Sequence, residues 1–372
     1  MKKSLNIVLF LLLACFVARL ASASTPWKED GVLTASDKGA GDELGRRVSI
    51  SGSVALVGAK EHNARLGAAY IYVSKDGGKS WPSSETQKLT ASDAFGTDEL
   101  GNDVSVSGNV ALVGAARDDS QKGAAYIYVS GDGGKTWPSS ETQILAFSDT
   151  AGITEIGFAV SVSGNTAFVG SADLAVFVFL TSDGGSTWNQ TQKILGGTTG
   201  QYFGRALSVS GNIAVIGAYT TPLSGAAYIF VGSNGGATWN QTQKLTPAGL
   251  TTYQACGLSV SISGNVAVMG CPGYIVNSIG AGGAFIFTSG DAGATWNEKQ
   301  VLTLSNPALG DNFGYSVSIS GNNVLVGAQL REVGTSSNAG AAYIFQPVGP
   351  PSSKPQSSSA AADSDNLANC CS

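Results

Sequence analysis

Histidine is almost missing from this sequence. His62 is the single one, so a multi-histidine metal site is excluded within one chain, and a histidine-based triad could run only through that residue. No serine and acid partners around it can be picked out, and His62 reads as a solvated loop residue. Charge is sparse, at 13%, and no cluster of lysines and arginines exists to neutralise a phosphate backbone. Nucleic acid is therefore not an expected partner. Convincing helical periods are absent. One long apolar run occurs, Leu5 to Val17, which is short of the roughly 20 residues of a membrane span.

That run has basic residues before it, Lys2 and Lys3, and a small-residue site after it, Ala21-Ser22-Ala23. Residues 1–23 are therefore expected to be a secretory signal. Leu12-Leu13-Ala14-Cys15 is a looser match to a lipoprotein site. Loss of Lys2, Lys3 and Arg19 with the leader takes the formal net charge from −5 to −8. Residues 347–372 are rich in Pro, Ser and Ala, end in Cys370-Cys371-Ser372, and lack the apolar content to offset ordering. They are expected to be a disordered tail.

What is abundant is glycine, at 50 residues, and repetition. Ser-Gly turns fall at Gly52, Gly108, Gly164, Gly211, Gly264 and Gly321, at intervals of 56, 56, 47, 53 and 57 residues. A period near 50 marks a solenoid, propeller or array. Each copy reads as four short strands. In the second copy these are the alternating Val104-Ser105-Val106-Ser107, then Val110 to Ala115, then Gly123 to Val129, then a segment ending Thr-Gln-x-Leu. Tight turns join them, as hairpins require. The expected fold is all-β: a six-bladed β-propeller of four-stranded antiparallel blades over residues 24–346. The sixth copy lacks its fourth strand, and Trp27 to Ser36 matches Trp81 to Ser92. This N-terminal segment is expected to close the ring as the outer strand of the last blade.

Phe203-Gly204 and Phe313-Gly314, followed by Ile216-Gly217-Ala218 and Val326-Gly327-Ala328, resemble FG-GAP repeats, which build the propeller of integrin α chains and of many secreted repeat proteins. The resemblance implies an adhesion or recognition module. The chain departs from it at Leu44, Leu100, Ile156 and Cys256, where Phe is replaced, and the final Pro occurs at Pro272 alone. The family's calcium loop is replaced by Ser-Gly-Asn or Ser-Gly-Ser, too short to offer six to eight oxygens. Asp37, Asp42, Glu43, Asp93, Asp98 and Glu99 read as solvated loop carboxylates. No cofactor and no metal are expected.

Ser130, Asp132, Gly134, Thr136 and Trp137 resemble the Asp-box of sialidase-like propellers, and related forms carry Asp76, Asp183, Asn234 and Asp291. The resemblance implies a structural turn between third and fourth strands. The arginine cluster and Tyr–Glu pair of sialidases have no recognisable counterpart.

Counting outward from the turn at Ser263-Gly264 places Cys256 opposite Cys271, within reach of a disulfide. Two small buried thiols are the other reading. Asn189 and Asn240 open sequons, glycosylation sites if the host modifies them. The longer, variable loops fall on one face, the expected place for recognition. Its candidates are Arg117, Asp118, Asp119, Tyr219, Tyr253 and Tyr274. The expected function is a secreted or cell-surface module (periplasmic or envelope in a bacterium) binding a protein or glycan partner through that face. The alternatives are a carbohydrate-active enzyme using a carboxylate pair, and a structural matrix or envelope protein.

Overall fold

The computed structural model describes residues 32–172, 174–196, 202–220, 224–332 and 339–346. The leader, Trp27 and the tail with its two cysteines lie outside them. The described chain forms six antiparallel blades arranged in a ring. Blade one runs Arg47–Ser51, Val54–Ala59, Ala68–Val73 and Gln87–Leu89; blade two repeats this as Leu100–Ser107, Val110–Ala115, Ala124–Val129 and Gln143–Ile144. Blades three, four and five begin at Ala159, Phe203 and Ser259 and also have four strands. Blade six has three among the described residues: Phe313–Ser320, Asn323–Ala328 and Ala341–Phe345. No described helix is long and apolar enough to cross a membrane.

The period-two pattern of each first strand sends alternate residues to opposite neighbours. The valines face the blade before: Val104 and Val106 join Leu56 and Ile71 of blade one in a single buried cluster. The serines face the blade after. Ser49 and Ser51 accept the backbone N–H groups of Val106 and Gly108, each at 3.0 Å. The same pair of bonds recurs at the next four junctions, ending with Ser261 and Ser263 on the N–H groups of Ile319 and Gly321 (3.1 and 3.0 Å).

The repeated glycines have a shared physical reason. A Cβ on Gly58 would strike the carbonyl oxygen of Gly101 in the next blade, and the pairs Gly114–Gly157, Gly170–Gly204, Gly217–Gly257 and Gly270–Gly314 repeat this approach. The turn glycines serve a different need. Gly108 has φ +59° at the first position of a two-residue hairpin turn, which suits glycine and the twist of the flanking strands.

The junction between blade six and blade one differs from the other five. Val48 and Ile50 of blade one are 68% and 65% exposed, and Leu325 and Ile344 of blade six are 44% and 53% exposed. Of the segment expected to close the ring, residues 27–31 are outside the described residues. Residues 33–36 lie against blade one: Thr34 N–H donates to Ser83 O at 2.9 Å and Ser36 N–H to Glu85 at 2.9 Å. Pairing with Ala341–Phe345 is not among the described pairings.

Candidate functional site

On the variable-loop face, the two-blade repeat builds one arrangement twice with different side chains. In blade one the Tyr70 hydroxyl donates to Asp37 (2.8 Å), and Lys88 Nζ donates to the same carboxylate (2.6 Å). Lys88 also donates to His62 Nε2 at 2.9 Å, which leaves the imidazole proton on Nδ1 for Asp42 at 2.9 Å. The bond from His62 comes first in holding the Asp42 carboxyl below its usual range. Burial works against ionisation of Asp37, but the bonds from Lys88 and Tyr70 outweigh it and lower its pKa too. His62 is thus a buried member of an ionic network, not a solvated loop residue. The sequence hides this because its partners lie 20 and 26 positions away.

In blade two, Asp118 stands where blade one has His62, and Ile144 where it has Lys88. The Tyr126 hydroxyl lies 2.8 Å from Asp118 and 3.0 Å from Asp93. Burial and these two carboxylates push its pKa far above the ordinary tyrosine value, so the group remains a donor. Here the arrangement opens into a cleft of about 640 Å³ whose lining includes Asp93, Asp98, Asp118, Lys122, Phe95 and Phe147. Three carboxylates face one ammonium there. Asp98 accepts the Phe95 N–H at 2.6 Å, fixing the turn that holds the Phe95 ring 84% exposed. Such a surface offers acceptors for hydroxyls or cations beside flat apolar area.

Glu99 is not solvated either. It is buried and bonded to Arg65, to Arg117 Nε at 3.0 Å and to Lys60 Nζ at 3.5 Å. These contacts tie the blade-one loop to blade two. Arg117, expected on the binding face, is therefore engaged in the scaffold.

The other expected face residues are dispersed. The Tyr219 hydroxyl accepts from Arg205 Nη1 (2.7 Å), and its ring stacks on Tyr202 with centroids 4.7 Å apart. The Arg205 guanidinium lies 4.4 Å from the centre of the Phe158 ring. Tyr253 is exposed. Tyr274 packs edge-on against Phe285 at 5.0 Å and lies half-buried against the blade-five core. The Asp119 side chain is outside what is described. Asp93, Phe95, Asp98 and Tyr126 were missed as a site by reading loops singly. Aligning blade one with blade two carries the signal, in the change from His62 to Asp118 and from Lys88 to Ile144.

The Asp-box residues form turns on the other side. Asp132 accepts the N–H groups of Lys135 and Thr136 (3.0 and 2.9 Å) and the hydroxyls of Ser130 and Thr136 (2.8 and 2.7 Å). Trp137 is buried and donates to Gly134 O at 3.0 Å. Asp76, Asp183 and Asp291 make the same side-chain bonds. All four carboxyls are held below the ordinary value, Asp183 at about 2, chiefly by these turn bonds. Asn234 instead occupies a left-handed position, φ 52°, in a hairpin whose strands run on to Ser233 and from Thr238.

Cys256 and Cys271 are bonded. Regular pairing out from the turn would not set them level, because Ser259 faces Gly270; an irregularity ahead of Ser259 does so, as Phe203 faces Ala218 in blade four across a bulge. Asn189 and Asn240 are both exposed on fourth strands.

A family model described as FG-GAP repeat matches residues 27–72, 83–128, 188–230, 239–287 and 296–345. No curated protein matches the chain. Among solved structures it is similar to a Trypanosoma rangeli sialidase in complex with the inhibitor DANA, at 14% identity and a TM-score of 0.48. The match covers 82% of this chain and 54% of that one, so the chain spans about half the length of that structure.

Proposed function

The chain belongs to the FG-GAP repeat family, and on that premise we propose that it is a secreted or surface-displayed recognition module. It binds a protein or glycan partner through the variable-loop face, with the cleft between blades two and three as the contact point. The observation that carries this reading is the convergence of Asp93, Asp98 and Asp118 beside the exposed Phe95 ring in a cleft of about 640 Å³. The carboxylates would accept hydrogen bonds from sugar hydroxyls or from basic side chains, and Phe95 would supply stacking area. The bonded cysteines fit an oxidising, extracellular setting.

The test is a binding screen of the purified protein against glycans and cell-surface proteins. Asp93→Asn and Phe95→Ala should each weaken binding to any hit with the thermal midpoint little changed. Binding that survives every loop-face change would sink the reading. Release of reducing sugar from any glycan would instead favour an enzyme.

A further inference from the structure

At the start of each first strand the backbone repeats one small turn. Glu43, Glu99, Glu155, Tyr202, Ala255 and Asn312 hold left-handed φ angles of 45–59°, and the carbonyl of each accepts the N–H three residues on. In blade one this turn sets Glu43 against Arg46, and the two form an ion pair at 2.8 Å. Blade four keeps the arginine, as Arg205, and puts Tyr202 where the glutamate stands. Of the six arginines among the described residues, Arg205 alone has no carboxylate within ion-pair distance. The blade-four loops 196–202 and 219–224 contain no Asp or Glu at all.

The guanidinium is nonetheless held in place. Its carbon lies 4.4 Å from the centre of the Phe158 ring of blade three and 5.0 Å from that of Tyr202. Nη1 donates to the Tyr219 hydroxyl, and Tyr219 stacks on Tyr202. Aromatic walls of this kind fix the planar fork and exclude competing water from its faces. Yet the fork's donors are not used up. Nε is buried without an acceptor, and Nη2, which is open to solvent, has none among the described residues. A charged donor left unpaired is costly, so an incoming oxygen is favoured there. The Tyr219 hydroxyl, as an acceptor from Arg205, keeps its own proton to donate. First strands of neighbouring blades lie against one another, which places Arg205 on the rim of the central channel, at the variable-loop face between blades three and four.

We infer that Arg205 is the anchor of a second binding site, one that takes a carboxylate group of a ligand. The ligand's carboxylate stands to Arg205 as Glu43 stands to Arg46, with Nη2 and the Tyr219 hydroxyl as its donors and the Tyr202–Tyr219 pair beside it. A singly charged, planar group fits this set best, because the aromatic walls bring no further cation for sulfate or phosphate. The site is separate from the cleft between blades two and three, and it stands whether or not that cleft binds anything.

The test titrates nitrogen-15-labelled full chain with glucuronate, glucose and sulfate at constant ionic strength and follows the Arg205 Nε–H signal. Glucuronate should shift it saturably, sulfate more weakly and glucose not at all. Tyr202→Glu rebuilds the blade-one pair on a turn that carries glutamate in three other blades. It should weaken glucuronate binding about ten-fold or more, the worth of one charge-assisted hydrogen bond. Tyr202→Gln matches it in size without the charge and should weaken binding far less. Arg205→Lys keeps the charge but loses the fork, and should also bind more weakly. No saturable shift with glucuronate, an equal shift with glucose, or sulfate bound as tightly as glucuronate overturns the inference. So does a loss in Tyr202→Gln as large as that in Tyr202→Glu.

Discussion

Gly114 of blade two lies so close to Gly157 of blade three that a Cβ on the first would overlap the carbonyl oxygen of the second. Gly114→Ala must push two backbones apart inside a packed junction. The expected cost is about 1–3 kcal/mol, in the range of overpacked cores, read as a lower denaturation midpoint. Gly131 is a matched control, since a Cβ there meets nothing, and Gly131→Ala should leave the midpoint nearly unchanged.

Glu99 holds Arg65, Arg117 and Lys60 at one buried carboxylate. Glu99→Gln removes the charge and leaves the three cations crowded. Both arginines are about 40% exposed, so water takes up part of the loss. About 2 kcal/mol is expected, less than the roughly 3–5 kcal/mol of a fully buried broken pair. Chemical denaturation of both proteins checks it.

The Cys256–Cys271 bond closes a loop with a sequence separation of 15. Constraint of the unfolded chain over that length is worth about 3 kcal/mol. Replacement of both cysteines by alanine should lower the midpoint accordingly, and peptide mapping of the unreduced protein should recover the two positions in one linked peptide.

The Asp-box carboxyls are held below their ordinary pKa, Asp183 at about 2. A folded value below the unfolded one gives stability that is complete above about pH 4 and lost as pH falls toward about 2. Asp183→Asn should therefore differ from the unchanged protein most at neutral pH, and the gap should close on acidification. A gap that widened in acid would contradict the turn bonds as its cause.

Asn189 and Asn240 are exposed at outer strands, each followed by Gln and Thr. Expression in a glycosylating host should add sugar at both, seen as a mass loss on deglycosylation and abolished stepwise by Asn189→Gln and Asn240→Gln.

The blades were legible because their signals are local. The Val-Ser alternation at 104–107 and the Ser-Gly turns fix strand, face and hairpin within eight residues. The junctions were not, because Gly58 is explained only by Gly101, and Ser49 only by Val106, 43 and 57 positions on. The site was half legible for the same reason. Asp118 was singled out, but its neighbours Asp93 and Tyr126 reach it through the fold, and His62 was misjudged because Lys88 and Asp42 come from other segments. Tyr274 shows the converse error: a tyrosine in a variable loop was assigned to the surface, and Phe285 draws it inward.

Because, at the five junctions described, the apolar residues of a first strand face the preceding blade and the serines of the preceding strand face the following one, each repeat carries a socket on one side and a matching plug on the other. Any blade can therefore follow any other. Duplication or excision of whole units, cut from one Ser-Gly turn to an equivalent one, preserves the junctions it creates, whereas a cut through part of a unit does not. That rule makes ring size a variable open to recombination, with the loops above each blade free to diverge while the contacts between blades stay the same.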